Sequence, residues 1–253
     1  EIVGTGTPVL CLHGFTGSTE TWTHLAEGLH PHFSLILLDM LGHGQSDQPT
    51  DPVRYSMDNT IADLAGILDH INVRQVDLLG YSLGARTALS FAVHHPDRCK
   101  NLILESGSPG ILDNSERIAR AEEDEKLAHF IERRGMEAFV NYWEGIPLFQ
   151  SQMKTTVSAR ATLRSQRLRN TSVGLANSLR GIGTGSQPSV HQFLSTMPVP
   201  TCIIVGKEDK RYYRLGKEMA QVIPNSRLEV VPNAGHAIHL EQPAEFNSIV
   251  NQV

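Results

Sequence analysis

The chain has 253 residues, 40% of them hydrophobic, with 22 Lys and Arg against 27 Asp and Glu, a formal net charge of −5 and a pI near 6.2. That length suits one globular domain with room for a large insertion. The acidic balance excludes the global basic field that draws a protein to nucleic acid, and the longest apolar runs, such as residues 35–38, are far too short to enter and cross a bilayer.

Taken in chain order, residues 8–12 read as a short apolar strand ending in His13-Gly14-Phe15. A second, residues 33–38, ends at Asp39 and leads into Leu41-Gly42-His43-Gly44-Gln45-Ser46-Asp47. Residues 56–71 carry helical apolar spacing through Met57, Ile61, Leu64, Ile67, Leu68 and Ile71. Residues 75–79 are a strand, and residues 85–95 a helix with Pro96 just past its end. Three more strands follow at 101–105, 201–205 and 227–231. Strands that are apolar throughout and alternate with helices predict the α/β class: a mostly parallel central sheet covered by helices on both faces.

Residues 106–200 show no strand pattern. Residues 115–134 predict a charged helix with Asn114 or Ser115 as N-cap and Gly135 past its end. Residues 136–143, 158–169 and 172–179 suggest further helices. Residues 109–195 therefore read as a helical cap inserted after the strand ending near Glu105, over a core made of 1–108 and 196–253. The cap is expected to sit above the strand ends, where open α/β sheets bind ligands. The run Gly181-Ile182-Gly183-Thr184-Gly185 joins no strand to a helix, so it predicts a hinge or a tight backbone approach and not a phosphate loop.

The chemistry centres on Gly80-Tyr81-Ser82-Leu83-Gly84, a nucleophile-elbow pattern between a strand and a helix. Its glycines allow the sharp turn while the serine takes a strained conformation and projects its hydroxyl. A serine hydroxyl needs an imidazole to take its proton, and the imidazole needs an orienting carboxylate. In elbow-containing sheets these follow in the order Ser, acid, His. Asp209, beyond the strand at 201–205, and His236, in the Gly-flanked loop beyond the last strand, supply that order. Glu208 is a neighbour of the acid, and Glu105, also at a strand end, is its one topological rival. Of the other histidines, His239 is expected to orient or pack, and His13 to support its loop. His30, His32, His94 and His95 are expected to be solvated or capping, because no third ligand has metal-site spacing. No metal or organic cofactor is indicated. The backbone N–H groups of Phe15 and Leu83 are the expected oxyanion hole. Cys11, Cys99 and Cys202 form no C-x-x-C and predict buried free thiols, hence a reducing, cytoplasmic location.

These motifs, with Gly206-x-x-Asp209 and Gly235-His236, resemble the α/β-hydrolase superfamily over nearly the whole chain. An arginine sharpens the resemblance. Arg86 shares a helix face with Ser82, four residues earlier, and a guanidinium there matches a carboxylate better than a greasy ester. Tyr81-Ser82-Leu83-Gly84-Ala85-Arg86, Ser108-Pro109-Gly110 with Glu116-Arg117-Ile118-Ala119-Arg120, Tyr142-Trp143 before Pro147, and Gln166-Arg167-Leu168 resemble the 2-succinyl-6-hydroxy-2,4-cyclohexadiene-1-carboxylate (SHCHC) synthase family of menaquinone biosynthesis. Ala85 stands where that family often has Gly. The resemblance implies a lyase that eliminates pyruvate from a small polycarboxylate substrate. It further implies that Arg86, Arg120 and Arg167 bind the carboxylates, with Arg164 and Arg169 close enough to replace Arg167, and that Tyr81 and Trp143 line the pocket. The rival readings are a carboxylesterase or carbon–carbon bond hydrolase for a small acidic substrate, and a non-catalytic binding member of the same fold.

Overall fold

The computed structural model describes residues 1–29 and 33–253, so the expectation for His30 and His32 lies outside the described residues. The sheet is built from β1 (Ile2–Val3), β2 (Thr7–Leu12), β3 (Phe33–Leu38), β4 (Val76–Tyr81), β5 (Cys99–Glu105), β6 (Thr201–Gly206) and β7 (Ser226–Val231). Their spatial order is β1-β3-β2-β4-β5-β6-β7. All neighbours pair in parallel except β1, which runs antiparallel to β3 through Ile2–Ile36 and Val3–Leu35. That two-residue edge strand is too short to carry any periodicity, and sequence reasoning did not find it.

The helices are α1 (Thr23–Leu29), α2 (Met57–His70), α3 (Leu83–His94), α4 (Asn114–Glu144), α5 (Val157–Leu168), α6 (Ser172–Ile182), α7 (His191–Leu194), α8 (Lys210–Val222), α9 (Ile238–Glu241) and α10 (Pro243–Val250). None is long and apolar enough to cross a membrane among the described residues.

The apolar strands are explained by the two faces. Leu10, Leu12, Leu78, Leu102 and Leu104 pack with Ile61, Leu64, Leu89 and Phe91 on one side. The alternate residues Val9, Cys11, Leu79 and Ile103 pack with Trp22, Ile238 and Phe246 on the other. Each such leucine contributes about 1.5–3 kcal/mol through burial. All six residues of β4 are buried, as are all six of β6, so the serine turn springs from a fully enclosed strand.

Between β5 and β6 the chain is helical, with an apolar cluster of its own built on Ala128, Ile131, Phe139, Val140, Leu175, Ala176 and Leu179. The N-cap of α4 is Asp113, and not Asn114 or Ser115: its carboxylate accepts the Glu116 N–H at 2.9 Å. An ionised acceptor also suits the positive end of the helix dipole. Gly135 does break α4, at φ 74 and ψ 174, but the helix resumes at once without a loop. The glycine run proves to be a close approach, since a Cβ on Gly185 would lie 2.2 Å from the Ala121 nitrogen. His94 and His95 do end α3, with His94 Nδ1 2.7 Å from the Ser90 carbonyl oxygen.

The parallel pairing places the carboxyl ends of β2, β4, β5, β6 and β7 at one edge of the sheet. His13, Ser82, Glu105, Asp209 and His236 therefore emerge together there.

Candidate active site

The turn at Ser82 exists because two backbones approach too closely for any Cβ. One on Gly80 would lie 2.3 Å from the Gly84 carbonyl oxygen, and one on Gly84 would lie 2.0 Å from that of Leu12. Ser82 takes φ 51 and ψ −106, a conformation that costs a non-glycine residue on the order of 1–3 kcal/mol. The strained residue is fastened by its neighbours: its N–H donates to Glu105 O at 2.9 Å, and its carbonyl accepts the Arg86 N–H at 3.0 Å.

The hydroxyl faces His236. Ser82 Oγ lies 3.0 Å from His236 Nε2, and His236 Nδ1 lies 2.8 Å from Asp209 Oδ2. An ionised carboxylate only accepts, so Nδ1 carries the proton and Nε2 is left as the base toward the serine. Asp209 Oδ1 accepts the Tyr212 N–H at 3.1 Å and so caps α8, which holds the acid in place. His236 is 1% exposed, with Tyr212, Tyr81 and Phe149 packed around its ring at 4.5, 5.4 and 6.0 Å between centroids. The N–H groups of Phe15 and Leu83 donate to no other described residue, and both residues line the cavity in front of Ser82.

Around this line lie supports of two kinds. His13 Nδ1 donates to Gly14 O at 2.8 Å and Nε2 accepts the Met40 N–H at 3.0 Å, which ties the Phe15 loop to the end of β3. Burial holds the pKa of His13 below the usual range, so it stays neutral. Glu241 clamps the His236 loop by accepting from the Gly235 N–H at 2.7 Å, the Ala237 N–H at 3.3 Å and Ser151 Oγ at 3.0 Å. Sequence reasoning missed Glu241; an acid five residues beyond His236 in a Gly-flanked loop was the available signal.

A cavity of about 200 Å³ opens at Ser82. Tyr81, Arg86, Arg120 and Trp143 line it, as does Arg211, which sequence reasoning also missed. Arg86 is buried, and burial holds its pKa down at about 10. Its Nη1 donates to Ile182 O at 3.0 Å and Gln187 Oε1 at 2.9 Å. Arg120 gives its Nε to Asp124 at 2.8 Å. Arg167 does not reach the cavity wall: its guanidinium lies over the Phe149 ring, 5.2 Å from the centroid, and meets Glu144 and Gln152 at 3.3 Å each. Its Nε is buried with no partner. Arg164 and Arg169 point elsewhere, to Glu144 and Glu20.

A model of the alpha/beta hydrolase fold family matches residues 7–243. A Bacillus subtilis protein assigned as an SHCHC synthase is 48% identical over 96% of this chain and 89% of its own. The SHCHC synthase of Enterobacter sp. is 31% identical over 96% of this chain and 89% of its own. This chain belongs to the SHCHC synthase family of α/β-hydrolase-fold enzymes. The solved structure of MenH from S. aureus superposes with a TM-score of 0.95 at 34% identity, covering 99% of this chain and 95% of that one.

Positive charge gathers at the site of this SHCHC synthase family member. Three arginines, Arg86, Arg120 and Arg211, line a cavity in a chain of net charge −5. Among the described residues no group of three or more His, Cys, Asp or Glu side chains is arranged to hold a metal ion.

Proposed function

We propose that this chain is a lyase forming SHCHC by expelling pyruvate from 2-succinyl-5-enolpyruvyl-6-hydroxy-3-cyclohexene-1-carboxylate, a step of menaquinone biosynthesis. The observation that carries this reading is a buried arginine without a carboxylate partner among the described residues, Arg86, one helical turn from a serine 3.0 Å from His236. A neutral ester would leave that charge unmatched, whereas a substrate carboxylate matches it.

In this mechanism Ser82 Oγ takes the ring proton made acidic by the neighbouring succinyl ketone, as His236 Nε2 takes the serine proton. Asp209 orients the imidazole and stabilises its charged form. The developing enolate oxygen accepts from the Phe15 and Leu83 N–H groups. The electron pair moves through the ring, the carbon–oxygen bond to the enolpyruvyl group breaks, and pyruvate leaves as its enolate, which then gains a proton. A conjugated diene remains, and no acyl-enzyme forms. Ser82 thus acts as a base, for which positioned groups supply on the order of 10²–10⁴-fold.

Arg86 and Arg120 take substrate carboxylates directly. Arg167 is the third, held by long 3.3 Å bonds with an idle Nε, and a carboxylate that displaces Phe149 reaches it. Tyr81 and Trp143 pack the ring, and residues 109–195 act as the cap that carries Arg120, Trp143 and Arg167. The three buried free cysteines support a reducing, cytoplasmic location.

The test is to generate the enolpyruvyl precursor enzymatically in situ and follow pyruvate and diene absorbance together. Release of both well above the spontaneous rate is the expected result. No acceleration, with rapid turnover of a small activated ester instead, would establish the esterase reading in its place.

A further inference from the structure

Two arginines are buried among the described residues, Arg86 at 6% and Arg167 at 4% exposure. Arg167 has the Glu144 carboxylate at 3.3 Å. Among the described residues Arg86 has no carboxylate oxygen within 4.0 Å. The acid whose charge it does feel, Asp124, is committed elsewhere: Oδ1 to Arg120 Nε at 2.8 Å and Oδ2 to the Gly185 N–H at 3.1 Å. Arg86 is held only by neutral oxygens, the Ile182 carbonyl and the Gln187 side-chain amide.

Gln187 is itself an unusual residue. It is fully buried and stands outside the cavity lining. Because its Oε1 must face the guanidinium, its Nε2 is left as a buried donor with no partner. An unpaired buried donor is costly and rare in folded proteins. A carboxylate of the same size would remove the idle donor and neutralise the guanidinium. The amide instead holds Arg86 by a hydrogen bond and leaves its positive charge unspent.

We infer that Gln187 is a positioning residue that sets substrate specificity: it fixes Arg86 in the cavity wall without discharging it, so that the carboxylate Arg86 bonds directly is one of the substrate. This rests on the lyase reading above and names a determinant of the same site. The physical reason is competition. An internal carboxylate is always present at high effective concentration, so it would occupy the guanidinium before any substrate arrives.

The test compares wild type with Gln187→Glu, which adds a charge at nearly constant shape, and Gln187→Met, which removes the acceptor without adding one. Steady-state kinetics on the enolpyruvyl precursor give KM and kcat separately, and thermal melts report folding. Losing one charge-assisted contact predicts a KM raised on the order of ten- to a hundredfold in Gln187→Glu. The rise in Gln187→Met should be smaller, with kcat in both close to wild type. A folded Gln187→Glu enzyme with wild-type KM, or one that loses kcat alone, overturns the inference. Should Gln187→Glu not fold, Gln187→Met decides: a raised KM supports the role and an unchanged KM overturns it. Absence of turnover in wild type would sink the lyase reading itself. The inference is then read from calorimetric binding of propane-1,2,3-tricarboxylate, where tighter binding to wild type than to Gln187→Glu supports it and equal or absent binding overturns it.

Discussion

Glu105 and His239 pair with each other beneath the site. Both Glu105 carboxylate oxygens lie 2.9 Å from His239 Nδ1, and Oε1 also accepts the His239 backbone N–H at 3.0 Å. The Tyr81 ring spans this pair and the neighbouring His236, at 4.6 and 5.4 Å between centroids. Two acids at strand ends thus serve two histidines three residues apart, and the geometry gives Asp209 to the histidine that faces Ser82.

That division predicts unequal effects of two isosteric changes. Asp209→Asn should lower kcat on the order of 10³–10⁴-fold, because the amide no longer fixes the tautomer and no longer stabilises the imidazolium. Glu105→Gln keeps an acceptor for His239 and should leave kcat within about tenfold of wild type. Equal losses from both changes, measured by pyruvate release, would return Glu105 to contention as the acid.

Ser82→Ala removes the proposed base and leaves the arginines in place. Turnover should fall on the order of 10²–10⁴-fold, while product affinity by calorimetry stays close to wild type. Strong residual turnover would remove Ser82 from the proton-transfer step.

The arginines should separate by their surroundings. Arg86→Ala deletes a cation lining the cavity and should raise KM on the order of tenfold or more, the weight of a charge-assisted hydrogen bond. Arg164→Ala deletes a partly exposed head whose recorded partners are Glu144 and Asn141, and KM should stay unchanged. A rise in KM for Arg164→Ala equal to that for Arg86→Ala would place the carboxylate site elsewhere in the cap.

Stability should depend on pH through His43. It is fully buried behind Phe15, donates Nδ1 to Leu41 O at 3.2 Å, and has no partner at Nε2. Burial pushes its pKa down from 6.5 to about 3. The unfolded chain then binds the extra proton between these values, so this contribution is present above pH 6.5 and is lost progressively as pH falls toward 3. Linkage gives a loss of roughly 2 kcal/mol between pH 7 and pH 5. Buried His13 is shifted in the same direction and adds with the same sign. Urea midpoints at the two pH values measure the loss, and His43→Asn, which keeps a donor for Leu41 O, should flatten the dependence. An unchanged slope in that variant would assign the effect to other groups.

Much of the fold is legible in the sequence, because strands buried on both faces are written as unbroken apolar runs and the helices between them carry a 3.6-residue period. The Ser82 turn was legible for a steric reason: glycines at 80 and 84 are demanded by two backbone contacts, and such demands are local. The order Ser82, Asp209, His236 was legible because parallel strands deliver their ends to one edge. Pairings across long stretches of chain were not. Nothing in the sequence distinguishes the Glu105–His239 contact from a Glu105–His236 one, and nothing shows that Arg167 stacks on Phe149 while Arg86 and Arg120 line the cavity. The sequence alone determined which chemical groups are present and the elements that carry them. Only the tertiary structure decided which charges meet a partner and which are left for a ligand, because that depends on ångström distances between segments that share no local signal.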